Sequence, residues 1–268
     1  MSKKYSYKNK LILLTGGTSG IGYSILSILK LEHCNIAVIG TNEEKLNEIG
    51  KITTSNSNIK VYKFDLSKIE KINNLIEMIQ EDFQMNISVF ISCAAISAIS
   101  LIEDLPEENL KNIHLVNSLA PFVITKYIIS NMKNNDDGQL IYLSSGAGFR
   151  GLPFNSAYSS SKFSLNGWIE SLRVEIYSKN IDVISISPGP TKTNNTARTK
   201  IFGNIKNIDN KKLSNPDDVA KKIFITMHNR KKHLRSFAFG NLARHINYFS
   251  SYFFDRVLYH LFIKKLDK

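Results

Sequence analysis

The chain has 268 residues, 43% of them hydrophobic, and a formal net charge of +12. That length and apolar content suit one large α/β domain with a buried core better than two small domains. Cys34 and Cys93 lie far apart and outside any CxxC spacing, which points to a reducing, cytoplasmic compartment and away from a structural metal. The apolar run after the basic start "MSKKYSYKNK" is too short for a signal peptide. No stretch approaches the roughly 18 apolar residues of a membrane span. The charge is uneven. Residues 1–197 hold 19 Lys/Arg and 18 Asp/Glu, whereas residues 198–268 hold 16 and 5. A basic last quarter fits an acidic partner or surface, or a solvated basic tail. No nucleic-acid motif accompanies it, and nucleic acid is not an expected partner.

In chain order, short β-branched runs alternate with longer amphipathic segments. Strands are expected at 10–15, 35–40, 59–64, 87–92, 138–144 and 181–187, with a last strand at "SFAFG", 236–240. Helices are expected at 20–31, 43–51, 68–83, across 107–133 and at 155–178. The strands are continuously apolar, as in a sheet covered on both faces. Alternation of β and α implies a parallel sheet with right-handed crossovers. Residues 190–214 lack periodicity and read as a long loop of the mobile or functional kind.

Directly after the first strand comes "TGGTSGIG", Thr15 to Gly22. Glycines there let the chain turn sharply and let a pyrophosphate approach the backbone. The following helix start supplies free N–H groups and positive dipole. A glycine cluster alone is weak evidence, but between the first strand and first helix of a β/α chain it reads as a dinucleotide site. Asp65-Leu66 follows the third strand, where an acid could accept from an adenine amino group or simply cap the next helix. Pro188-Gly189-Pro190 breaks the chain after the sixth strand, at the edge where open α/β sheets bind ligands.

These motifs together resemble the classical short-chain dehydrogenase/reductase family. Thr15-Gly16-x-x-x-Gly20-x-Gly22 matches its glycine motif and Tyr158-x-x-x-Lys162 its catalytic pair. Ser145 lies thirteen residues before Tyr158, Asn117 stands in "LVNSLAPF", and Pro188-Gly189 is followed by Thr193. The likeness covers about residues 10–190 in the family's order. It implies a Rossmann-type doubly wound parallel sheet in one domain. It implies a catalytic set of Asn117, Ser145, Tyr158 and Lys162. It also implies cofactor contacts from Gly16, Thr18, Ser19, Gly20, Ile21, Gly22, Thr41, Asp65, Leu66, Ala94, Tyr158, Lys162, Pro188, Gly189, Thr191 and Thr193. One departure stands out. The family's Asn-Asn-Ala-Gly after the fourth strand is here Ser92-Cys93-Ala94-Ala95. Ser92 can make fewer hydrogen bonds than asparagine, and Ala95 must find angles a glycine would take freely.

At 100° per residue, Lys162, Leu165, Ile169, Leu172 and Ile176 fall within about 40° of Tyr158. A lysine in line with an apolar stripe needs a partner, because a buried ammonium is costly. By the resemblance, Tyr158 is the general acid in ketone reduction and the base in alcohol oxidation. Ser145 holds the carbonyl oxygen, Lys162 holds ribose hydroxyls and lowers the tyrosine's pKa, and Asn117 positions a relay water. Phe163, Gly167 and Val174 form a second apolar stripe on the far side, which predicts a homodimer or homotetramer through this helix.

The second strand ends in Gly40, where an acid would select NAD(H). Thr41, Thr18 and Ser19 could hold a 2′-phosphate, so NADP(H) is favoured over NAD(H). Thr41-x-x-Glu44 also reads as a capping box. Residues 1–240 form the catalytic domain in this reading, and 241–268 an amphipathic helical extension. That extension, aromatic and basic, would serve as interface, substrate lid or contact with an anionic membrane surface, and it favours an apolar or lipid-like carbonyl substrate. Three functions stay in view: an NADP(H)-linked carbonyl reductase, a 3-oxoacyl-(carrier protein) reductase, and a catalytically silent cofactor sensor on the same fold.

Overall fold

The computed structural model describes residues 4–52, 56–192, 199–203, 205, 213–235, 255, 256 and 259. Its strands are β1 (Leu11–Thr15), β2 (Asn35–Gly40), β3 (Asn58–Lys63), β4 (Ile87–Ser92), β5 (Ala98–Ile99), β6 (Gly138–Leu143), β7 (Ile181–Ser187), β8 (Lys200–Ile201) and β9 (His233–Arg235). Its helices are α1 (Gly20–Leu29), α2 (Glu43–Gly50), α3 (Ile72–Phe83), α4 (Glu107–His114), α5 (Ala120–Asn135), α6 (Ser156–Glu175) and α7 (Pro216–His228), with a π turn at Leu115–Leu119 joining α4 to α5.

Seven strands form one parallel sheet in the order β3-β2-β1-β4-β6-β7-β9. Every residue of β1 and β6 is buried, because helices cover both faces and leave no side to solvent. One face packs Leu11, Leu13, Phe90, Leu140 and Tyr142 against α3, α5 and α6. The other packs Ile12, Leu14, Ile141, Ile184 and Ile186 against α1 and α7. The chain turns back on itself between β1 and β4, so a crevice opens at their carboxyl ends, where ligands of such sheets bind.

Three features differ from the sequence reading, and one part of that reading lies outside the described residues. The last described strand is at 233–235, while the expected strand 236–240 and the extension 241–268 fall outside the described residues except Asp255, Arg256 and Tyr259. The sequence reading assigns no element to 216–228, which form α7. Asn215 caps it, Pro216 opens it, and Ser24 of α1 donates to Asp217 at 2.6 Å. Within the expected loop 190–214, β8 pairs with β5 in a separate two-stranded parallel sheet. Finally, the helical run Glu107–Asn135 is, among the described residues, the one helix long and apolar enough to cross a membrane. Half of its most apolar window is buried in the fold, where Ile113, Val116, Ala120, Ile124 and Ile128 serve the core.

At the edge where strands begin, the N-terminal segment is fastened down. Tyr7 donates to Gln139 at 3.1 Å, and Gln139 donates to Asp182 and to the Met227 carbonyl, both at 2.9 Å. Arg230 pairs with Asp182 at 2.9 Å and Lys10 pairs with Asp137.

Candidate active site

The glycine turn between β1 and α1 is built for backbone contact. Gly16 and Gly20 have φ of +71° and +53°, angles that only glycine adopts without strain. A Cβ on Gly22 would lie 2.3 Å from the Gly16 carbonyl oxygen, and one on Gly16 would lie 2.8 Å from the Ala94 backbone. Ser19 caps α1 in extended conformation without a side-chain bond, so the first N–H groups of Gly20, Ile21 and Gly22 head the turn, an arrangement that fits a phosphate. The Thr15 hydroxyl accepts from Cys93 N and Ala94 N at 3.2 and 3.3 Å and lies 3.4 Å from the Ile91 carbonyl. It ties β1 to the end of β4 across the crevice. Sequence reasoning missed this role, though Thr15 opens the motif it quoted. Ala95 carries no positive φ, so the replaced glycine costs no strain there.

At the adenosine end, a Cβ on Gly40 would meet the Thr18 methyl at 2.5 Å, so Thr18 occupies the space an acid there would need. The helix cap is Asn42, which accepts from Lys45 N at 2.9 Å. This corrects the expected Thr41 capping box and leaves the exposed Thr41 hydroxyl unspent on the cap. Lys45 pairs with Glu48 along its own helix at 2.7 Å. Asp65 accepts from Ser67 N at 2.9 Å in a local turn, with Leu66 buried beside it.

At the other end α6 carries Tyr158 and Lys162 on its buried face, with Leu165, Ile169 and Leu172 continuing the stripe as the projection requires. Lys162 is 2% exposed. Its Nζ donates to the Leu143 carbonyl at 2.8 Å and lies 5.6 Å from the Tyr158 ring centre. Burial lowers the lysine from 10.5 to about 8, opposed by the neighbouring Cys93 thiol. The thiol is itself pushed up to about 12 by burial. Burial also raises Tyr158, and a hydrogen bond with Ser145, which favours the phenolate, only partly offsets it. The net direction for Tyr158 is upward because desolvation of the ring is the larger cause. Ser145 also caps the short turn Gly146–Gly148, accepting from Ala147 N at 3.2 Å, which fixes its backbone.

Asn117 sits buried in the π turn, a form that recurs at functional sites. Its amide accepts from Ile96 N and donates to Ile96 O, both at 2.8 Å, and donates to Ser161 at 3.1 Å. The side chain is therefore spent on fastening the segment after β4 to α6. Thr191 donates to the Gly189 carbonyl at 2.8 Å, bracing the Pro188-Gly189 loop, while Thr193 lies outside the described residues. The hydroxyls of Ser144 and Ser187, where β6 and β7 end, are buried and find no partner among the described residues.

The structure thus gathers Ser145, Tyr158, Lys162 and Asn117 around the α6 start, and Gly16 with Ala94 around the crevice. Thr41, Asp65 and Leu66 stand apart at the ends of β2 and β3.

Residues 10–201 match the model of the short chain dehydrogenase family. Over 187 residues the chain is 30% identical to the 3-oxoacyl-(acyl-carrier-protein) reductase of Rickettsia conorii, covering 70% of this chain and 75% of that one. It is 29% identical over 221 residues to the 3-ketodihydrosphingosine reductase of Bos taurus, covering 79% and 66%. A solved short-chain dehydrogenase from Streptomyces avermitilis superposes with a TM-score of 0.80 at 17% identity, over 97% of this chain and all of the other.

Proposed function

The chain belongs to the short-chain dehydrogenase/reductase family, oxidoreductases acting on CH–OH groups. From that premise we propose that it reduces an apolar ketone or aldehyde with NADP(H), Tyr158 giving the proton. The observation that carries this reading is the buried Lys162 on α6, one turn after Tyr158, its ammonium held by the Leu143 carbonyl and 5.6 Å from the Tyr158 ring centre. A bound nicotinamide supplies the hydride. A tyrosine raised above 10 keeps its proton at neutral pH and can hand it to an oxygen that is gaining negative charge. The Ser145 hydroxyl donates to that same oxygen. Lys162 offers its remaining N–H donors to ribose hydroxyls and eases the charge left on Tyr158. Asn117 fixes the wall of the site and would position a water that relays protons toward Lys162.

NADP(H) is favoured because Gly40 presents no carboxylate to repel a 2′-phosphate, and because Thr18 and the exposed Thr41 stand beside it. Titration with NADPH and NADH, followed by a screen of ketones and alcohols at the absorbance of the reduced nicotinamide, tests both halves. Equal affinity for the two cofactors would remove the preference. Gly40→Asp combined with Thr18→Gly, which clears the space for the new carboxylate, should move the preference toward NADH by tenfold or more.

A second reading is reduction of a 3-oxoacyl group on an acidic carrier. The Rickettsia relative and the charge excess of residues 198–268 favour it. Turnover of a carrier-bound substrate that collapses at high salt, against salt-insensitive turnover of the free thioester, would single it out. Tight cofactor binding with no turnover of any carbonyl would instead support the sensor reading. The outward stripe of α6 leaves Phe163 43% and Val174 76% exposed, with open space over Gly167. This supports a homodimer or homotetramer through α6, which sedimentation at micromolar concentration would decide.

A further inference from the structure

We propose that Ser144 and Ser187 are positioning residues that share one buried water, and that this water ties the loop carrying Ser145 to the Pro188-Gly189 loop. The site arises from the way two neighbouring strands end. β6 and β7 run parallel, with Leu143 beside Ile186. Ser144 N then donates to the Ile186 carbonyl at 2.7 Å. In a parallel ladder the next donor would be the N–H of residue 188, aimed at the Ser144 carbonyl. Residue 188 is proline and has no N–H. The backbone ladder between β6 and β7 therefore stops at this level. Beyond it one chain turns into Gly146–Gly148 and the other into Pro188-Gly189. Among the described residues no backbone hydrogen bond joins these two turns.

The side chains at that level are two serines on one face. Leu140 and Tyr142 of β6 and Ile181 and Val183 of β7 belong to the core under α6. Ile141, Leu143, Ile184 and Ile186 belong to the core on the other face. By alternation Ser144 and Ser187 both face α6, side by side. They are 4% and 3% exposed, and neither hydroxyl has a partner among the described residues. A hydroxyl so well covered costs free energy unless it is hydrogen-bonded. Neighbouring strands lie about 4.8 Å apart, a gap that one water spans with a bond of about 2.8 Å to each side. Each serine can both donate and accept, which gives the water the two polar partners it needs. The cover over both hydroxyls keeps anything larger away. The consequence falls on Ser145, the next residue. Its turn is held to itself through Ala147 N and to α6 through Asn166, and the water holds it to the loop after β7. The effect on activity rests on the oxidoreductase reading; the bridge does not.

The test uses the full chain with Ser144→Ala, Ser187→Ala and the double variant. Each single change should lower the thermal midpoint by about 2–4 °C, because it strands the water and the other hydroxyl. The double variant should lose less than the sum of the two, since both changes break one bridge. Amide hydrogen exchange should rise across the gap by about threefold or more: at Gly146–Gly148 in Ser187→Ala, and at Gly189 and Thr191 in Ser144→Ala. Well below the midpoints, kcat should fall by about three- to tenfold with KM nearly unchanged, a split that a merely structural role would not give. A high-resolution crystal structure of the parent should show one water bonded to both hydroxyls. Unchanged or raised midpoints overturn the bridge, because removing a buried hydroxyl that has no partner is neutral or stabilising. Additive losses overturn it too, and so does a crystal structure with the hydroxyls bonded directly to each other. Lowered midpoints with unchanged exchange across the gap overturn the positioning role. If the parent turns over no carbonyl, midpoints, exchange and the crystal structure still decide the proposal, whereas that inactivity bears on the oxidoreductase reading alone.

Discussion

At the edge where the strands begin, charges come in pairs: Arg230 with Asp182, Lys10 with Asp137, and Tyr7 and Gln139 bridging between them, with the Tyr5 hydroxyl and the His228 Nδ1 the exceptions. At the edge where they end, Lys162 is buried with a carbonyl for partner, and the Ser144 and Ser187 hydroxyls have no partner among the described residues. Burial of polar groups is costly at both edges, and the first offsets much of it with charge pairs within the chain. The first edge is therefore a place of stability. The second keeps its polar groups for something that arrives from outside, which is the arrangement expected where the chemistry occurs.

The comparison breaks most visibly at Tyr158. Tyr158→Phe should lower kcat by about 10² to 10⁴ while leaving NADPH affinity within threefold. Retained turnover, read from reduced-nicotinamide absorbance, would remove Tyr158 from the mechanism. Asp182→Ala should do the reverse, costing about 3 kcal/mol in denaturant unfolding by removing the charge partner of Arg230 and an acceptor of Gln139, with kcat unchanged in the folded protein. Gly22→Ala sits between these. Its Cβ would meet the Gly16 carbonyl at 2.3 Å, so cofactor affinity should fall at least tenfold and stability by about 2 kcal/mol. The smallest stability effect is the most diagnostic. Lys162→Met should inactivate the enzyme yet raise stability at pH 7 by about 1–2 kcal/mol, since it removes a buried ammonium. Lys162 titrates near 8 in the fold against 10.5 when free, so between those values the folded chain binds fewer protons than the unfolded. The parent's stability rises with pH across that window, and the advantage of the Lys162→Met protein over it should shrink there. A constant difference from pH 7 to 10.5 would contradict the burial argument.

The sheet and the Tyr158–Lys162 pair are legible in the sequence because both rest on local spacing: apolar runs in one case, one helical turn in the other. The glycine turn is legible for the same reason. What stays hidden is non-local. Thr15 meets Cys93 and Ala94 nearly eighty residues on, Asn117 meets Ile96, and β5 finds β8 about a hundred residues away. None of these pairings leaves a periodic trace. α7 is different: Asn215, Pro216, Asp217 and Asp218 are ordinary helix-start signals that the sequence reading passes over. The tyrosine's raised pKa is hidden because it depends on how much protein surrounds the ring, which spacing does not report.

The π turn at Leu115–Leu119 amounts to one residue more than a plain helix would spend. With it, Val116 within the turn and Ile124 after it both pack into the core under the sheet while Asn117 points to Ile96. Losing a single residue between 115 and 119 would restore regular helix but swing one flank by about 100°. Either the asparagine or the α5 stripe would then leave its place. This segment should therefore accept many substitutions and almost no deletions, so the spacing from Ile113 to Ile124 is fixed more tightly than most of the letters that fill it.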